Sequence, residues 1–283
     1  MRRIRTTPVL AGATVLVAGL AALVPTSAQA AVTCDGAALV SAVNAANTAG
    51  GGNIVLAANC TYTVAAANSS DTDGPDALPI ITTTITLTGD NDTITRSTTP
   101  GTPAFRIAKV ASTGALTLKG NVTLSNGSAA TDGGGILNYG AVTLTASALT
   151  GNTAAGRGGG LANADLAAPA TGATATFTGG NVSHNTANGQ GGGIYNGLRG
   201  SLTSTSTSVI GANTAGTQGG GIAAVNSTAT TLTSTQISTN AAGTGAGGIY
   251  RQNGTMTLTT SPVSGNIPDN CTGSSPSVPG CVG

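Results

Sequence analysis

One spacing constrains this chain more than any other feature. Asparagine recurs at 152, 185, 213 and 240, and nine residues after each stands an apolar residue behind paired or triple glycine: Leu161, Ile194, Ile222 and Ile249. A further asparagine follows at 266, and an earlier anchor, Ile136, stands behind Gly133-Gly134-Gly135. The anchors are therefore 25, 33, 28 and 27 residues apart. Tandem units of that length stack as solenoids or propellers, because one unit alone cannot bury its own apolar face.

Counting back from each asparagine gives two columns that read as inward-facing. Three residues before stand Leu149, Val182, Ile210, Ile237 and Val263; eight before stand Leu144, Phe177, Thr205, Leu232 and Leu258. Hydroxyls flank the second column at Thr143/Thr145, Thr176/Thr178, Ser204/Ser206, Thr231/Thr233 and Thr257/Thr259. That alternation belongs to half-buried strands with the hydroxyls outside. Each unit reads as strand, turn, strand, asparagine corner, glycine corner, strand, which is one rung of a parallel β-helix. Rungs about 4.8 Å apart set like residues on like. Asn152, Asn185, Asn213, Asn240 and Asn266 then form a ladder of side-chain amides, at a corner where Asn tolerates left-handed angles. Asn138, Asn163 and Asn196 read as a second, shorter ladder that lapses at Ala224 and Arg251.

The pairing of Gly-Gly-Gly-Ile with an upstream Asn resembles the repeats of the polymorphic outer membrane protein family, where a GGA-Ile/Leu/Val motif alternates with a Phe-x-x-Asn motif. The match covers roughly residues 118 to 270, with Leu149, Val182, Ile210, Ile237 or Val263 where the motif has Phe. The resemblance implies an all-β, single-stranded right-handed parallel β-helix, a pectate-lyase-like solenoid of the kind found in bacterial surface and secreted proteins. Large members of that family also carry a C-terminal membrane barrel. This chain ends without one, so outer-membrane anchoring does not carry over.

Met1 to Ala30 reads as a secretory signal: a basic Arg2-Arg3-Ile4-Arg5 head, an apolar run from Val9 to Val24 and an Ala28-Gln29-Ala30 cleavage site. The run is short of the roughly 20 residues that span a membrane, so no transmembrane segment is expected in the mature chain. Loss of three arginines changes 10 basic against 9 acidic residues to 7 against 9. With 7% of residues charged, nothing calls for nucleic acid or an anionic membrane surface as partner. The expectation is a secreted, extracellular protein with an extracellular or cell-wall partner, polysaccharide among the candidates.

The remaining chain divides into a capping-helix region over 31–52, irregular rungs over 53–126, regular rungs over 127–266 and a C-terminal cap over 267–283. Asp35 is a natural N-cap for a helix over 35–48 whose Leu39, Val40, Val43 and Ala46 share one face, and Gly50-Gly51-Gly52 ends it. Such a helix covers the open core and strand edge of the first rung. Four less regular rungs are expected ahead of five regular ones. Four cysteines in an exported chain favour disulfides, and of three pairings Cys34–Cys60 with Cys271–Cys281 brackets the two ends.

Many right-handed β-helices are polysaccharide lyases or hydrolases, so carboxylates and their companions are the first candidates for catalysis. The acidic clusters are Asp71, Asp73 and Asp76 in a polar loop, and Asp90 with Asp92 in a Gly-Asp-Asn-Asp turn. Asp71-Thr72-Asp73-Gly74 is similar to the opening of a calcium loop without its closing acid, which makes calcium the one candidate cofactor and a solvated turn the simpler reading. Asp90 and Asp92 read as turn formers. Arg106-Ile107-Ala108-Lys109 is similar to the Arg-Ile-Lys motif of polygalacturonases but has an extra residue and lacks the companion Asp-Asp and Gly-His-Gly motifs, so it reads as a strand with basic residues facing out. Asp132 and Arg157 both lie four before their glycine anchors, as do Gln190 and Gln218, and pair better as an inter-rung salt bridge than as catalysts. His184 is the only histidine and falls in a variable corner column. Tyr195 and Tyr250 read as covers of the glycine corner. The paired threonines resemble the ice-binding face of some antifreeze proteins, an analogy weakened where Ser204 and Ser206 lack the methyl groups. These readings add up to a non-enzymatic rod with a structural or adhesive role, the alternative being a carbohydrate-active enzyme using Asp90, Asp92, Asp132 or Arg157.

Overall fold

The computed structural model describes residues 30–164 and 172–283. All but the last residue of the expected signal lies outside them. The described chain is an all-β parallel solenoid of about seven turns behind one helix. Within each regular coil four strands follow one another, as in Ala141–Thr145, Ala148–Thr150, Thr153–Ala154 and Leu161–Asn163. Each stacks in parallel on its counterpart one coil away, which builds four sheets, here A to D in that order. Sheets A and B have eight strands, C five and D six. Sheet C is an addition to the sequence reading, since two-residue strands are too short to show a period.

Three irregular coils, and not four, precede the regular ones. Gly51–Val55, Thr84–Thr88 and Ala115–Lys119 are the first three strands of sheet A, whereas Ala108–Val110 starts sheet D and Ile81 makes only an isolated bridge to Val110. Eight strands about 4.8 Å apart give a rod of roughly 34 Å.

The helix spans Gly36–Thr48, capped by the Asp35 carboxylate, which accepts from the Ala37 amide at 3.3 Å. Its buried residues Leu39, Val43 and Ala46 join the core through Ile54, Leu56 and Tyr62, so the helix closes one end of the solenoid as its apolar stripe requires. Cys34–Cys60 ties this cap to the second sheet, and Cys271–Cys281 ties the tail, whose Cys271 and Val278 enter the core at the other end.

The ladder of asparagines explains the nine-residue spacing. Asn152 Nδ2 donates to Asn185 Oδ1 at 3.0 Å, Asn185 to Asn213 at 3.0 Å, Asn213 to Asn240 at 2.9 Å and Asn240 to Asn266 at 3.0 Å. Each amide oxygen also accepts a backbone N–H from the coil before, and each amide nitrogen also donates to a main-chain carbonyl, as Asn213 does to Val182. From Asn185 to Asn266 both lone pairs and both protons have partners, which makes burial of these amides tolerable. The third glycine of each corner lies against the ladder of the next coil. A Cβ at Gly193 would stand 2.9 Å from Asn213 Nδ2, and one at Gly160 3.0 Å from Asn185 Nδ2. Amide and glycine therefore occupy one shared space, and their separation is fixed.

Three expectations need correction. The left-handed residue at the asparagine corner is not the asparagine but its predecessor, at Gly151, His184, Ala212, Thr239 and Gly265. The ladder amide has to point inward, so the turn is made one residue earlier. Arg106 and Lys109 do not face out; both are buried. In the third regular coil Thr205 is not inward and Ser204 is not outward. Ser204 pairs with Phe177 and Leu232 in sheet A and is fully buried, its hydroxyl accepting from Thr235 at 2.9 Å. The turn after this strand holds one extra residue, with Ser206 and Thr207 both at positive φ, so a backward count from Asn213 is off by one.

The second ladder runs from Asn138 through Asn163 to Asn196 at 2.7 and 2.8 Å. Where it lapses, the buried Thr230 hydroxyl accepts from Asn196 at 2.9 Å in place of a fourth amide.

Candidate functional site

In so weakly charged a chain, the ionic side chains gather conspicuously at one end of sheet D. Ser69–Asp71 and Gly74–Asp76 form a small antiparallel hairpin rather than a solvated loop. It lies over the first strand of sheet D, with bridges from Asp76 to Arg106 and from Ile81 to Val110. Inward-pointing charges on a covered edge are a recognised way of keeping that edge from pairing with other chains.

Arg106 is the centre of this arrangement. Its guanidinium donates to Asp76 Oδ1 at 2.7 Å, to the Asp73 carbonyl at 2.6 Å and to Thr131 Oγ1 at 2.8 Å, joining hairpin, sheet D and the next coil. Ser69 gives Asp76 a further bond at 3.1 Å. Burial pushes the Asp76 carboxyl above its ordinary range against the opposing pull of Arg106. Lys109 sends its ammonium between two carboxylates, bonding Asp71 and, at 2.6 Å, Asp73. The Tyr139 ring centroid is 5.4 Å away. Asp71, Thr72, Asp73, Ile80, Lys109, Ser112 and Tyr139 line an open cavity of 330 Å³. Burial and the nearby Asp73 charge raise the Tyr139 phenol.

One coil further on, the expected inter-rung pair is present. Arg157 donates to Asp132 at 2.7 Å, lies 4.3 Å above the Tyr195 ring centroid and donates to the Tyr195 hydroxyl at 2.8 Å. Burial raises the Tyr195 phenol, offset in part by Arg157. Gln190 and Gln218 also bond across coils, at 2.8 Å. Tyr195 is thus the seat of a cation as well as a cover for the corner.

The candidate residues of the sequence divide accordingly. Asp71, Asp73 and Asp76 converge, but upon Lys109 and Arg106. Among the described residues no three His, Cys, Asp or Glu side chains stand where they could hold a metal ion. Asp92 is buried and structural: its carboxylate accepts from the Cys60 amide and the Asp90 amide, both at 2.8 Å, while Asp90 is exposed beside it. The Asp132 and Arg157 side chains pair with each other, and Arg157 also with Tyr195. His184 is exposed at positive φ. Sequence reasoning missed Tyr139. Its signal is the outward position three residues after the Ile136 anchor, next to the strand that Lys109 shares in register with Leu137.

The acid response of the cluster follows from its neighbours. Burial alone would raise Asp71, yet the Lys109 hydrogen bond and charge prevail and hold it below its ordinary 3.8. A depressed folded-state value stabilises the fold above the unfolded value and is lost as pH falls through the folded one. We expect Asp71→Asn to flatten the fall in melting temperature between neutral pH and the acid side of that value, measured by thermal melts across the range. An unchanged acid limb would show that Lys109 does not hold Asp71.

The fold and the ion-paired cluster define the chain as a disulfide-closed parallel β-solenoid with a salt-bridged hairpin at one corner. No protein-family model, curated protein or solved structure matches it. Among the described residues no helix is long and apolar enough to cross a membrane.

Proposed function

We propose that this is an exported, extracellular rod with a structural or surface-interaction role and no catalytic activity, cleaved near Ala30 and coiled in the right-handed sense of the polymorphic outer membrane protein-like repeats. One observation carries the reading: the three hairpin carboxylates and Asp132 are all engaged by cations, Asp71 and Asp73 sharing one, while Asp92 is tied to backbone amides. Asp76 is held by Arg106, Asp71 and Asp73 by Lys109, and Asp132 by Arg157. A glycosidase needs one carboxylic acid able to give a proton and a second free to attack or to activate water. Carboxylates engaged by cations in this way serve architecture better than proton transfer. Two disulfides agree with an oxidising compartment.

A second reading rests on the cavity beside Tyr139, where Asp73 and a lysine border open space. It makes the chain a polysaccharide lyase or glycoside hydrolase, with calcium as its cofactor. Purified protein is to be incubated with pectins and other acidic polysaccharides, with and without calcium, while unsaturated and reducing ends are counted. No product is expected. Turnover abolished by Asp73→Asn or Asp90→Asn would establish the enzyme instead.

A further inference from the structure

The corrected register at Ser204 changes what sheet A presents to its surroundings. With Ser204 inside, Thr203 and Thr205 stand outside, and the apparent break in the paired threonines disappears. One outward rank runs Thr86, Thr117, Thr143, Thr176, Thr203, Thr231, Thr257, strand paired to strand without a shift. Beside it, two residues along each strand, runs a second rank that departs from threonine within the same coils only at Lys119. Beyond Lys119 neither rank holds a charge.

Strand propensity alone does not account for this. Threonine suits any exposed strand position, and sheet B offers the same number of strands in the same coils. Its corresponding outward rank reads Thr93, Thr123, Ala148, Asn181, Val209, Gln236. Sheet B drifts in that rank where these two ranks of sheet A do not, although the remaining outward rank of sheet A varies between Thr, Ala and Ser, so something specific to the paired ranks favours a methyl and a hydroxyl together. The hydroxyls are also uncommitted. From Thr143 onward, among the described residues, the only bond that an outward hydroxyl of either rank makes to the protein is from Thr205 to the Phe177 carbonyl, at 3.4 Å.

The geometry limits the partner. Like groups repeat about every 4.8 Å along the rod and about 6.7 Å along each strand, over a length of roughly 29 Å in the first rank. Oligosaccharide and peptide sites use a few dissimilar polar groups with aromatic walls, and sheet A has neither, its one aromatic, Phe177, being buried. A repeated, uncharged pair of one donor–acceptor and one methyl is matched by a partner that is itself periodic in two dimensions and made of small hydroxylic units. Water fits both conditions: the hydroxyls extend its hydrogen-bond network while the methyls hold the first layer in cages against the surface. We propose that the threonine face of sheet A binds ice, the ordered solid form of water. The proposal rests on the reading of the chain as a non-catalytic interaction surface and names its partner.

The test uses fluorescently labelled full-length protein in a solution from which ice is slowly grown, with the protein in the ice fraction compared with that left in the liquid, alongside the rate of ice recrystallisation. Enrichment in ice is expected, falling at least about tenfold, the scale of removing one strong interaction, in Thr176→Lys and Thr203→Lys. The sheet B variant Asn181→Lys is expected to match the parent, and thermal melts verify that all three are folded. Exclusion of the parent from ice overturns the proposal, as does an equal loss in Asn181→Lys. Retention on microcrystalline cellulose or chitin without uptake into ice also overturns it and assigns the face to a crystalline polysaccharide. Polysaccharide cleavage would overturn the non-catalytic reading without touching these results, so the two failures remain separable.

Discussion

Asn213→Ala is expected to lower stability by roughly 3–9 kcal/mol, the sum of three buried groups each left without a partner at about 1–3 kcal/mol. The groups are specific. Asn213 Oδ1 accepts from both the backbone N–H and the side-chain amide of Asn185, and Asn213 Nδ2 supplies the Val182 carbonyl. Truncation strands two donors and one acceptor in a space with no room for bulk water. Coils of a solenoid contact only their neighbours, so the first effect is local. Amide hydrogen exchange should accelerate in the coils around Asn185 and Asn240 before the ends respond. Asn213→Asp supplies the control, because its carboxylate would face the Asn240 oxygen and the Val182 carbonyl, both acceptors. That unpaired, buried charge raises its own folded-state titration, and by the linkage rule the variant regains stability as pH falls. A variant as stable as the parent, by chemical denaturation, would show that the amide string is ornamental.

The second large effect is expected at the glycine corner. A Cβ at Gly192 would lie 2.4 Å from the Thr214 carbonyl carbon and oxygen and 2.5 Å from the Gly220 oxygen. These are backbone atoms of the neighbouring coil, fixed by the ladders on either side, and no side chain can swing away. Gly192→Ala should cost roughly 3 kcal/mol or more, at the upper end of overpacking effects. Gly265 offers the contrast. It has φ +64, but a methyl there would meet nothing within 4 Å, so Gly265→Ala carries only the left-handed backbone penalty of about 1–2 kcal/mol. Equal losses in the two variants would mean that coil spacing is softer than the packing implies.

These two positions also mark what the sequence makes visible. The ladder and the glycine corner are legible because each coil repeats the same collision, and a fixed count of residues is its direct trace. The pairs Gln190 with Gln218 and Asp132 with Arg157 are legible for the same reason, since stacking turns an equal offset from the anchor into contact. The helix behind Asp35 follows from its cap and apolar stripe. Ser204 escapes because the stretch from Thr203 to Ser208 alternates Thr and Ser without one apolar residue to fix the phase. Either register gives the same pattern until the partner strand decides. The ionic cluster escapes for a different reason. Arg106 reaches Asp76 across 30 residues, and Thr131 reaches the Asp73 carbonyl across 58, through irregular coils that offer no offset to count. Its hairpin has the composition of an ordinary hydrophilic turn, and only sheet D supplies the buried cations beneath it.

The amide string has a direction. Each oxygen receives from the coil before and each nitrogen gives to the coil after, with the Gly127 N–H supplying the first oxygen and Asn270 receiving the last gift from Asn266. Any segment cut from the middle exposes, at its two faces, a complementary socket and plug. Duplication of such a segment would therefore lengthen the protein without asking for a new interface, whereas the helix at one end and the cystine-closed tail at the other admit no copy. Rod length in this architecture is free to drift over generations while the termini are not.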